Sequence, residues 1–350
     1  MSSGRGFLLL AIGVFLLATL DLFFGSADIP PGEVVQLLFG TAEPGTEPSW
    51  VLIVRELRLP KVIVAMLAGA ALAVAGLLLQ TLFRNPLAGP DVLGISAGAS
   101  LGVALVVLWL GSGEASWLSG LGLLGDMALV TAASCGAFLA LALILGASRR
   151  MGNLTLLVLG LLLGYTTGAL TTILLHMSLA ERVQAYVMWT FGTFGGAGWS
   201  EIRLLAPVLL LTLSAALLLG KKLNALALGD VFARSVGVEV GRLRRSILLL
   251  AAILAGTVTA FCGPIAFLGI AVPHLARLLF RSADHRCLLP ASALLGAAVA
   301  LLADLLTQVP PGAEVLPLNA LTSLLGAPLI AYLLWRGKAE IGGLRGDSQN

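Results

Sequence analysis

Charged residues are scarce in this 350-residue chain, at 11% of the total, against about 25% in a typical soluble domain. Eighteen acidic and 21 basic side chains are too few to cover a water-facing surface for a chain of this size. Because 58% of the residues are apolar and the mean hydropathy is +1.01, a soluble enzyme, a secreted binding module and a disordered regulator are excluded. The composition favours an all-α polytopic membrane protein.

Reactive and metal-binding side chains are few as well. The three cysteines and three histidines are scattered, which excludes a disulfide framework and a metal cluster. The chain also lacks a G-x-x-x-x-G-K-[ST] phosphate loop, since Gly220-Lys221-Lys222 has neither the preceding glycine nor the following hydroxyl residue. No carboxylates, histidines or cysteines cluster as catalysis would require, so an intramembrane enzyme is disfavoured. Any energy that the protein consumes is expected to come from another chain.

Long apolar runs are abundant, and they exclude the strict alternation of a membrane β-barrel. We predict ten membrane-spanning helices at 7–24, 59–83, 92–110, 121–147, 154–175, 202–220, 246–263, 265–280, 288–308 and 319–336. The Gly263-Pro264 break separates the seventh from the eighth. Small residues follow the first apolar run, as they do at the cleavage site of a signal peptide. The length of the run nevertheless favours a retained helix.

The basic residues indicate the orientation of the chain. With both termini in the cytoplasm, sixteen of the 21 fall inside and five fall outside, as the positive-inside rule requires. The longest inside segment, 221–245, is too polar to span and has amphipathic spacing around 231–236. The longest outside segments are 25–58 and 176–201, each with a short helix candidate, at 31–39 and at 180–190. No domain boundary is visible, so 1–350 is expected to form one membrane domain.

Glycines recur at every fourth position in two of the predicted spans. One stripe is Gly94, Gly98 and Gly102, and the other is Gly160, Gly164 and Gly168. Such stripes allow helix backbones to approach closely. They indicate either packing within one subunit or contact with a second subunit or a transport pathway.

Two acidic residues lie within the predicted spans, Asp304 in the ninth and Asp126 in the fourth. Intramembrane acids are costly and normally face a partner. Since no lysine or arginine is evident at the depth of Asp304, we expect a structural or coupling role for it rather than proton transport.

Several motifs, taken together in this order, resemble one transporter family. They are Arg58-Leu59-Pro60-Lys61; Gln80 with Arg84-Asn85-Pro86-Leu87-Ala88; Leu93-Gly94-Ile95-Ser96; Gly192 with Phe194-Gly195-Gly196 and Trp199; Leu228-Gly229-Asp230 through Ala233 to Gly237; Gly263-Pro264-Ile265 with Phe267-Leu268-Gly269; Pro273-His274 with Arg277; Asp284-His285-Arg286; and Gly326-Ala327-Pro328. The chain resembles, from about residue 50 to 336, the FecCD permeases of type II ABC importers for iron–siderophore complexes, haem and vitamin B12. That resemblance implies a ten-helix fold like that of the vitamin B12 importer permease.

The resemblance also implies partners. Two permease subunits, identical or related, would form the pathway in the inner membrane of a bacterial cell. Two cytoplasmic ATPases would bind ATP and Mg²⁺ and drive transport, a periplasmic binding protein would deliver the cargo, and nucleic acid would have no part. This chain would itself be a transport subunit without enzymatic activity or a bound cofactor.

The resemblance assigns roles to residues of this sequence. The 221–245 segment would dock on the ATPase through Gly229, Asp230, Ala233, Arg234 and Gly237. The binding protein would dock on Arg55, Arg58 and Lys61, and the cytoplasmic gate would be Asn153, Leu154 and Thr155. Structural motif residues would be Arg84, Asn85, Pro86, Pro273, His274, Arg277 and Asp304.

Cargo identity is the open question within this resemblance. We rank a ferric siderophore first, as the commonest cargo class of the family, then haem, then vitamin B12. No cluster of residues in the sequence is specific for one ligand. A proton-driven secondary transporter is the competing interpretation from another class, and it would need Asp304 or Asp126 as the proton carrier.

Overall fold

The computed structural model describes residues 3–25, 27–40, 47–109, 123–148, 150–308 and 315–346. All regular secondary structure in these ranges is helical, as the composition predicts. The helices are α1 (Ser3–Phe23), α2 (Pro31–Phe39), α3 (Pro48–Leu52), α4 (Leu59–Phe83), α5 (Ile95–Ala104), α6 (Leu123–Ala147), α7 (Asn153–His176), α8 (Ala180–Thr190), α9 (Trp199–Leu218), α10 (Gly220–Ala227), α11 (Asp230–Ser235), α12 (Val240–Cys262), α13 (Leu268–Phe280), α14 (His285–Thr307) and α15 (Leu318–Gly346).

Seven helical stretches among the described residues are long and apolar enough to cross a membrane. Three shorter apolar helices, Ile95–Leu108, Leu268–Phe280 and Leu318–Tyr332, coincide with three further predicted spans. The count of ten therefore stays a prediction, because these three are short of the usual length for a span. The end of the third predicted run and the start of the fourth lie outside the described residues.

The second span is longer than predicted. A π-helical turn, Ile53–Arg58, joins α3 to α4, so that one apolar helical stretch runs from Pro48 to Phe83. The predicted outer segment 25–58 therefore includes the first turns of this stretch. The short helices α2 and α8 lie where the sequence predicts them, and prolines at the start of α2 suit the first turn of a helix.

Helix α4 lies at the centre of the bundle, and nearly all of its residues are buried. Two glycines of α4 allow the neighbouring helices α13 and α14 to approach until backbone atoms are in contact. A Cβ atom on Gly69 would overlap the carbonyl oxygen of Gly296 in α14, and one on Gly76 would overlap that of Gly269 in α13. These close crossings follow from the small residues that lipid-embedded helices use for packing.

The two glycine stripes have different environments. Gly98 and Gly102 in α5 face the backbone of α6, where a Cβ on Gly98 would lie 2.6 Å from the carbonyl oxygen of Gly136. That stripe packs within the chain. On α7, by contrast, a Cβ on Gly164 or Gly168 would meet nothing within 4 Å. Much of the surrounding surface of α7 is apolar and exposed, including Leu161 and Tyr165.

Candidate coupling site

The end of the bundle where α10 and α11 lie carries most of the exposed arginines and lysines, and we call it the basic end. The predicted loop 221–245 is not a single loop. It consists of α10, α11 and the first turns of α12, which begins at Val240. Gly229 precedes α11 with φ +125° and Gly237 follows it with φ +84°, conformations that favour glycine strongly. The two glycines thus set the direction of α11 at both ends.

Asp230, the first residue of α11, is bonded inside the chain. One carboxylate oxygen, Oδ1, accepts a hydrogen bond from Arg84 Nη2 at 2.8 Å, and Arg244 Nη2 lies 3.9 Å from Oδ2. Arg84 is the C-cap residue of α4 and has a left-handed backbone conformation with φ +49°. Its side chain reaches α11 from the end of α4. Asp230 therefore joins α11 to the end of the central helix and to the start of α12.

The predicted gate turn is connected to the same cluster. Arg244 Nη1 lies 3.4 Å from the carbonyl oxygen of Met151, and Asn153 Nδ2 donates to the carbonyl oxygen of Leu82 in α4 at 2.6 Å. Leu154 and Thr155 are exposed. One residue of the predicted gate is thus held by the central helix, while the other two face outwards.

The remaining predicted coupling residues differ in exposure. Ala233 is fully buried against the chain, and Arg234 is exposed. The exposed surface of α11 and its flanks is instead apolar: it consists of Leu228, Val231, Phe232 and Val236. Val231 is 85% exposed and Leu228 is 71% exposed. We call these four residues the apolar face of α11; their positions, separated by three, one and four residues within a basic segment, fit one face of a helix and are the sequence signal for them.

A polar network fastens α10 to the bundle, and its central residue, Asn224, belongs to no motif in the sequence. Asn224 Nδ2 donates to Asp284 Oδ1 at 2.7 Å, and Asn224 Oδ1 lies 2.8 Å from the His285 ring. The other ring nitrogen of His285 is 2.7 Å from Thr81 Oγ1 in α4. The hydrogen bond from Asn224, followed by one from the Arg286 backbone N–H, lowers the pKa of Asp284 to about 2. Asp284 thereby stays ionised and caps α14.

The remaining motif residues stabilise the bundle locally. Arg277 Nη1 donates to Gln80 Oε1 at 2.7 Å, and Gln80 Nε2 donates to the carbonyl oxygen of Ile270 at 3.1 Å, which fastens α13 to α4. Asn85 Oδ1 accepts the backbone N–H of Leu87 at 3.0 Å in the turn that contains Pro86. In α13, Pro273 is buried and His274 is half-buried.

At the opposite end of the bundle, two of the predicted docking cations are bonded to backbone carbonyls. The Arg58 side chain is buried, and its guanidinium donates to the carbonyl oxygens of Leu22, Phe23 and Ala27 at 2.5–3.0 Å. Arg55 Nε donates to the carbonyl oxygen of Leu37 at 2.7 Å. The arginines therefore satisfy carbonyls near the ends of α1 and α2, groups that a helix leaves unpaired.

Lys61 forms a buried ion cluster at this end. Its Nζ atom lies 2.6 Å from Asp304 Oδ2 in α14 and 3.1 Å from Asp21 Oδ1 in α1. Gln308 Nε2 donates to the same two carboxylate oxygens. The expectation that Asp304 has no basic partner at its depth is wrong, because Lys61 reaches it from a different helix. The side chain of Asp126 lies outside the described part of the chain.

Replacing Lys61 with Met is expected to destabilise the protein. The Lys61 side chain is only 16% exposed, and its loss would leave the buried Asp21 and Asp304 without their ammonium partner. Removing one member of a buried ion cluster costs about 3–5 kcal/mol. Thermal unfolding of the purified protein in detergent measures the effect, with exposed Lys222→Met as the matched control. Equal melting temperatures for the two variants would contradict the structural role of this cluster.

The helical bundle, with its long apolar helices and close glycine crossings, is that of a polytopic membrane protein. Residues 10–336 match the FecCD transport family, and the chain therefore belongs to that family. The family resemblance drawn from the sequence is confirmed.

Two relatives are named as permease proteins of import or transport systems, and one solved structure is that of an ABC transporter. The hemin transport system permease protein HmuU of Yersinia pestis is 36% identical over 341 residues, covering 95% of this chain and 98% of that protein. The vitamin B12 import system permease protein BtuC of Klebsiella pneumoniae is 35% identical and covers 95% and 94%. A solved metal-chelate type ABC transporter in an inward-facing conformation superposes with a TM-score of 0.80 at 28% identity, covering 95% of this chain and 99% of that one. This chain is accordingly a multi-pass membrane permease of the ABC-importer class.

Proposed function

We propose that this chain is the permease subunit of an ABC importer that moves a ferric siderophore, or another iron chelate, from the periplasm to the cytoplasm. The proposal places it in the bacterial inner membrane with both termini and the basic end on the cytoplasmic side, as the positive-inside rule favours. Haem and vitamin B12 are the alternative cargoes within the same family. Relatives named for hemin, for vitamin B12 and, at 36% identity in Bacillus subtilis, for Fe(3+)-citrate support this range.

The observation that carries the proposal is the apolar face of α11. An exposed helix with large apolar side chains, at the basic end of a membrane bundle, is suited to docking into a groove of another protein. We assign that partner as a cytoplasmic ATPase, two copies of which would bind ATP and Mg²⁺. This chain would bind no cofactor and would catalyse no reaction itself.

The contacts around Asp230 suggest how motion would pass from the ATPase to the pathway. Displacement of α11 would act on the end of α4 through Asp230 and Arg84 and on the gate turn through Arg244 and Met151. Transport would then follow rigid-body shifts between two permease subunits. The exposed apolar surface of α7, with its open Gly164 and Gly168, is the surface we propose for the second permease subunit or the pathway.

A periplasmic binding protein would deliver cargo at the opposite end, where Arg55, Arg58 and Lys61 are the proposed docking cations. Arg58 is buried and Lys61 lies in the ion cluster, whereas Arg55 is partly exposed and is bonded to Leu37 through its Nε atom, so the proposed contact depends foremost on the outer guanidinium nitrogens of Arg55. Its charge would steer docking more than it would fix affinity.

Reversing the charges of the Arg84–Asp230 pair is expected to uncouple the importer. Asp230→Arg faces Arg84 with a like charge, so cargo-stimulated ATP hydrolysis should fall roughly tenfold, whereas Asp230→Arg combined with Arg84→Asp should recover much of it. The measurement is cargo-stimulated ATPase activity of the complex in nanodiscs, together with co-purification of the ATPase. Lys222→Asp, an exposed charge reversal on the neighbouring helix α10 at a residue with no predicted docking role, is the matched control. A double variant as inactive as the single one would contradict the proposed coupling through the Arg84–Asp230 ion pair.

Reconstitution tests the function as a whole. The permease, its ATPase and its binding protein are assembled in proteoliposomes, and ATP hydrolysis and uptake are measured with a ferric siderophore, haem and vitamin B12. Stimulation by the siderophore is the expected result, and stimulation by another cargo alone would reassign the substrate. Uptake that survives ATP depletion but collapses with an uncoupler would instead support a proton-driven transporter. The pairing of Asp304 with Lys61 argues against that mechanism.

A further inference from the structure

A surface groove lies between the end of α6 and the start of α12, and no role proposed above uses it. Its volume is about 750 Å³. Its lining includes Ala142, Leu145 and Gly146 from α6, with Arg242, Arg245 and Leu249 from α12. One wall of the groove is therefore apolar, while the other carries two guanidinium groups one helical turn apart.

The groove spans the edge of the membrane-crossing region. Helix α6 ends at Ala147 and α12 begins at Val240, and both are long and apolar enough to cross a membrane. Ala142 and Leu249 lie inside those apolar helices, whereas Arg242 and Arg245 lie in the first turns of α12. The apolar wall is thus placed to meet acyl chains, and the arginines are placed at the level of lipid headgroups.

The positive charge at the groove is poorly neutralised by the protein. Arg245 forms no ion pair among the described residues; its Nε atom donates to the carbonyl oxygen of Gly241 at 3.3 Å. Arg242 pairs with Glu239 at 3.0 Å, but both side chains are largely exposed. A second groove of about 520 Å³ shares Arg245 and adds Arg234 and Arg244. Arg242 and Arg244 each have one acidic partner, and Arg234 and Arg245 have none among the described residues, so the net positive charge of the two grooves favours an anionic occupant.

We propose that this groove binds an anionic phospholipid, with its phosphate between Arg242 and Arg245 and an acyl chain along Ala142, Leu145 and Leu249. Basic pockets between membrane helices are suited to phosphate headgroups, because guanidinium groups match phosphate oxygens in geometry and charge. A second copy of this chain is a poorer occupant, since its own arginines would add like charge. The inference does not depend on which cargo the protein carries.

Lipid retention by the purified full-length chain tests the proposal. Native mass spectrometry compares phosphatidylglycerol with phosphatidylcholine added to the detergent-solubilised protein. We expect phosphatidylglycerol to be preferred, and Arg242→Gln with Arg245→Gln to weaken that preference roughly fivefold for each arginine removed. Arg203→Gln, an exposed arginine at the opposite end, is the matched control and should change nothing. Equal retention of the two lipids by the unaltered protein would overturn the proposal.

A second variant separates a lipid from free phosphate. A Cβ atom on Gly146 would meet nothing within 4 Å, so Gly146→Leu can fill the apolar wall while both arginines stay in place. This variant should lose phosphatidylglycerol, and inorganic phosphate should not displace the lipid from the unaltered protein. Displacement by phosphate, with no effect of Gly146→Leu, would show a plain anion site and overturn the lipid assignment. Unchanged lipid retention in the arginine variants, with weaker ATPase association, would reassign the groove as a protein contact.

Discussion

Val231→Asp on the apolar face of α11 is expected to abolish association with the ATPase. Val231 is 85% exposed and has Leu228, Phe232 and Val236 as apolar neighbours on the same surface. In a docked helix, a carboxylate at this position would be buried against the partner without a counter-charge, which is costly. Loss of a central apolar anchor typically weakens binding by about 2 kcal/mol or more, which is roughly 30-fold. Uptake should fall with the lost association.

The measurement is the dissociation constant of the purified ATPase for the permease in nanodiscs. Lys222→Asp is the matched control, since Lys222 is also exposed at the basic end but lies on α10, outside the apolar face. We expect Lys222→Asp to bind normally and Val231→Asp to retain normal membrane insertion and melting temperature. Normal ATPase binding by Val231→Asp would show that α11 is not the docking helix. The apolar face of α11 would then no longer support the proposed function.

Gly76→Leu is expected to prevent the bundle from packing. A Cβ at this position would overlap the backbone of Gly269, so α4 and α13 would have to separate. Inserting a larger side chain into a packed core costs about 1–3 kcal/mol of folding free energy. Because the new side chain would meet backbone atoms that cannot rotate away, we expect a cost at or above the upper end of this range. The bond from Gln80 to Ile270 lies along the same crossing and would be lost with it. We expect little folded protein.

Fluorescence-detected size-exclusion chromatography and thermal unfolding measure this effect. Gly13→Leu in α1 is the matched control, because a Cβ at Gly13 meets nothing within 4 Å. We expect the control to elute and melt as the unaltered protein does. A well-folded Gly76→Leu variant would mean that α4 and α13 do not cross as closely as the structure places them.

Features that depend on local sequence were predictable. The apolar runs, the short helices α2 and α8 and the break at Gly263-Pro264 follow from hydropathy, proline and glycine, which act within a few residues. The all-α membrane fold follows from them, because a backbone in lipid must satisfy its hydrogen bonds within each helix. The motif order was also sufficient to recognise the family.

Pairings between distant residues were not predictable. Arg84 and Asp230 are 146 positions apart, and each belongs to a motif with its own local explanation. Lys61 is predicted from its motif to be a docking cation, although in the structure it lies between Asp21 and Asp304. Asn224 carried no motif at all, yet it bonds α10 to α14.

The sequence by itself determined that this chain is a helical membrane permease of the FecCD family, because composition, hydropathy and motif order are properties of the chain alone. Only the tertiary structure decided which glycines are packing sites, which charges are buried and which surface of α11 is free. Those properties depend on how helices far apart in sequence cross, and apolar periodicity does not encode the partner of a given side chain. The proposed coupling site therefore depends on the packed bundle, which brings Asp230 to Arg84.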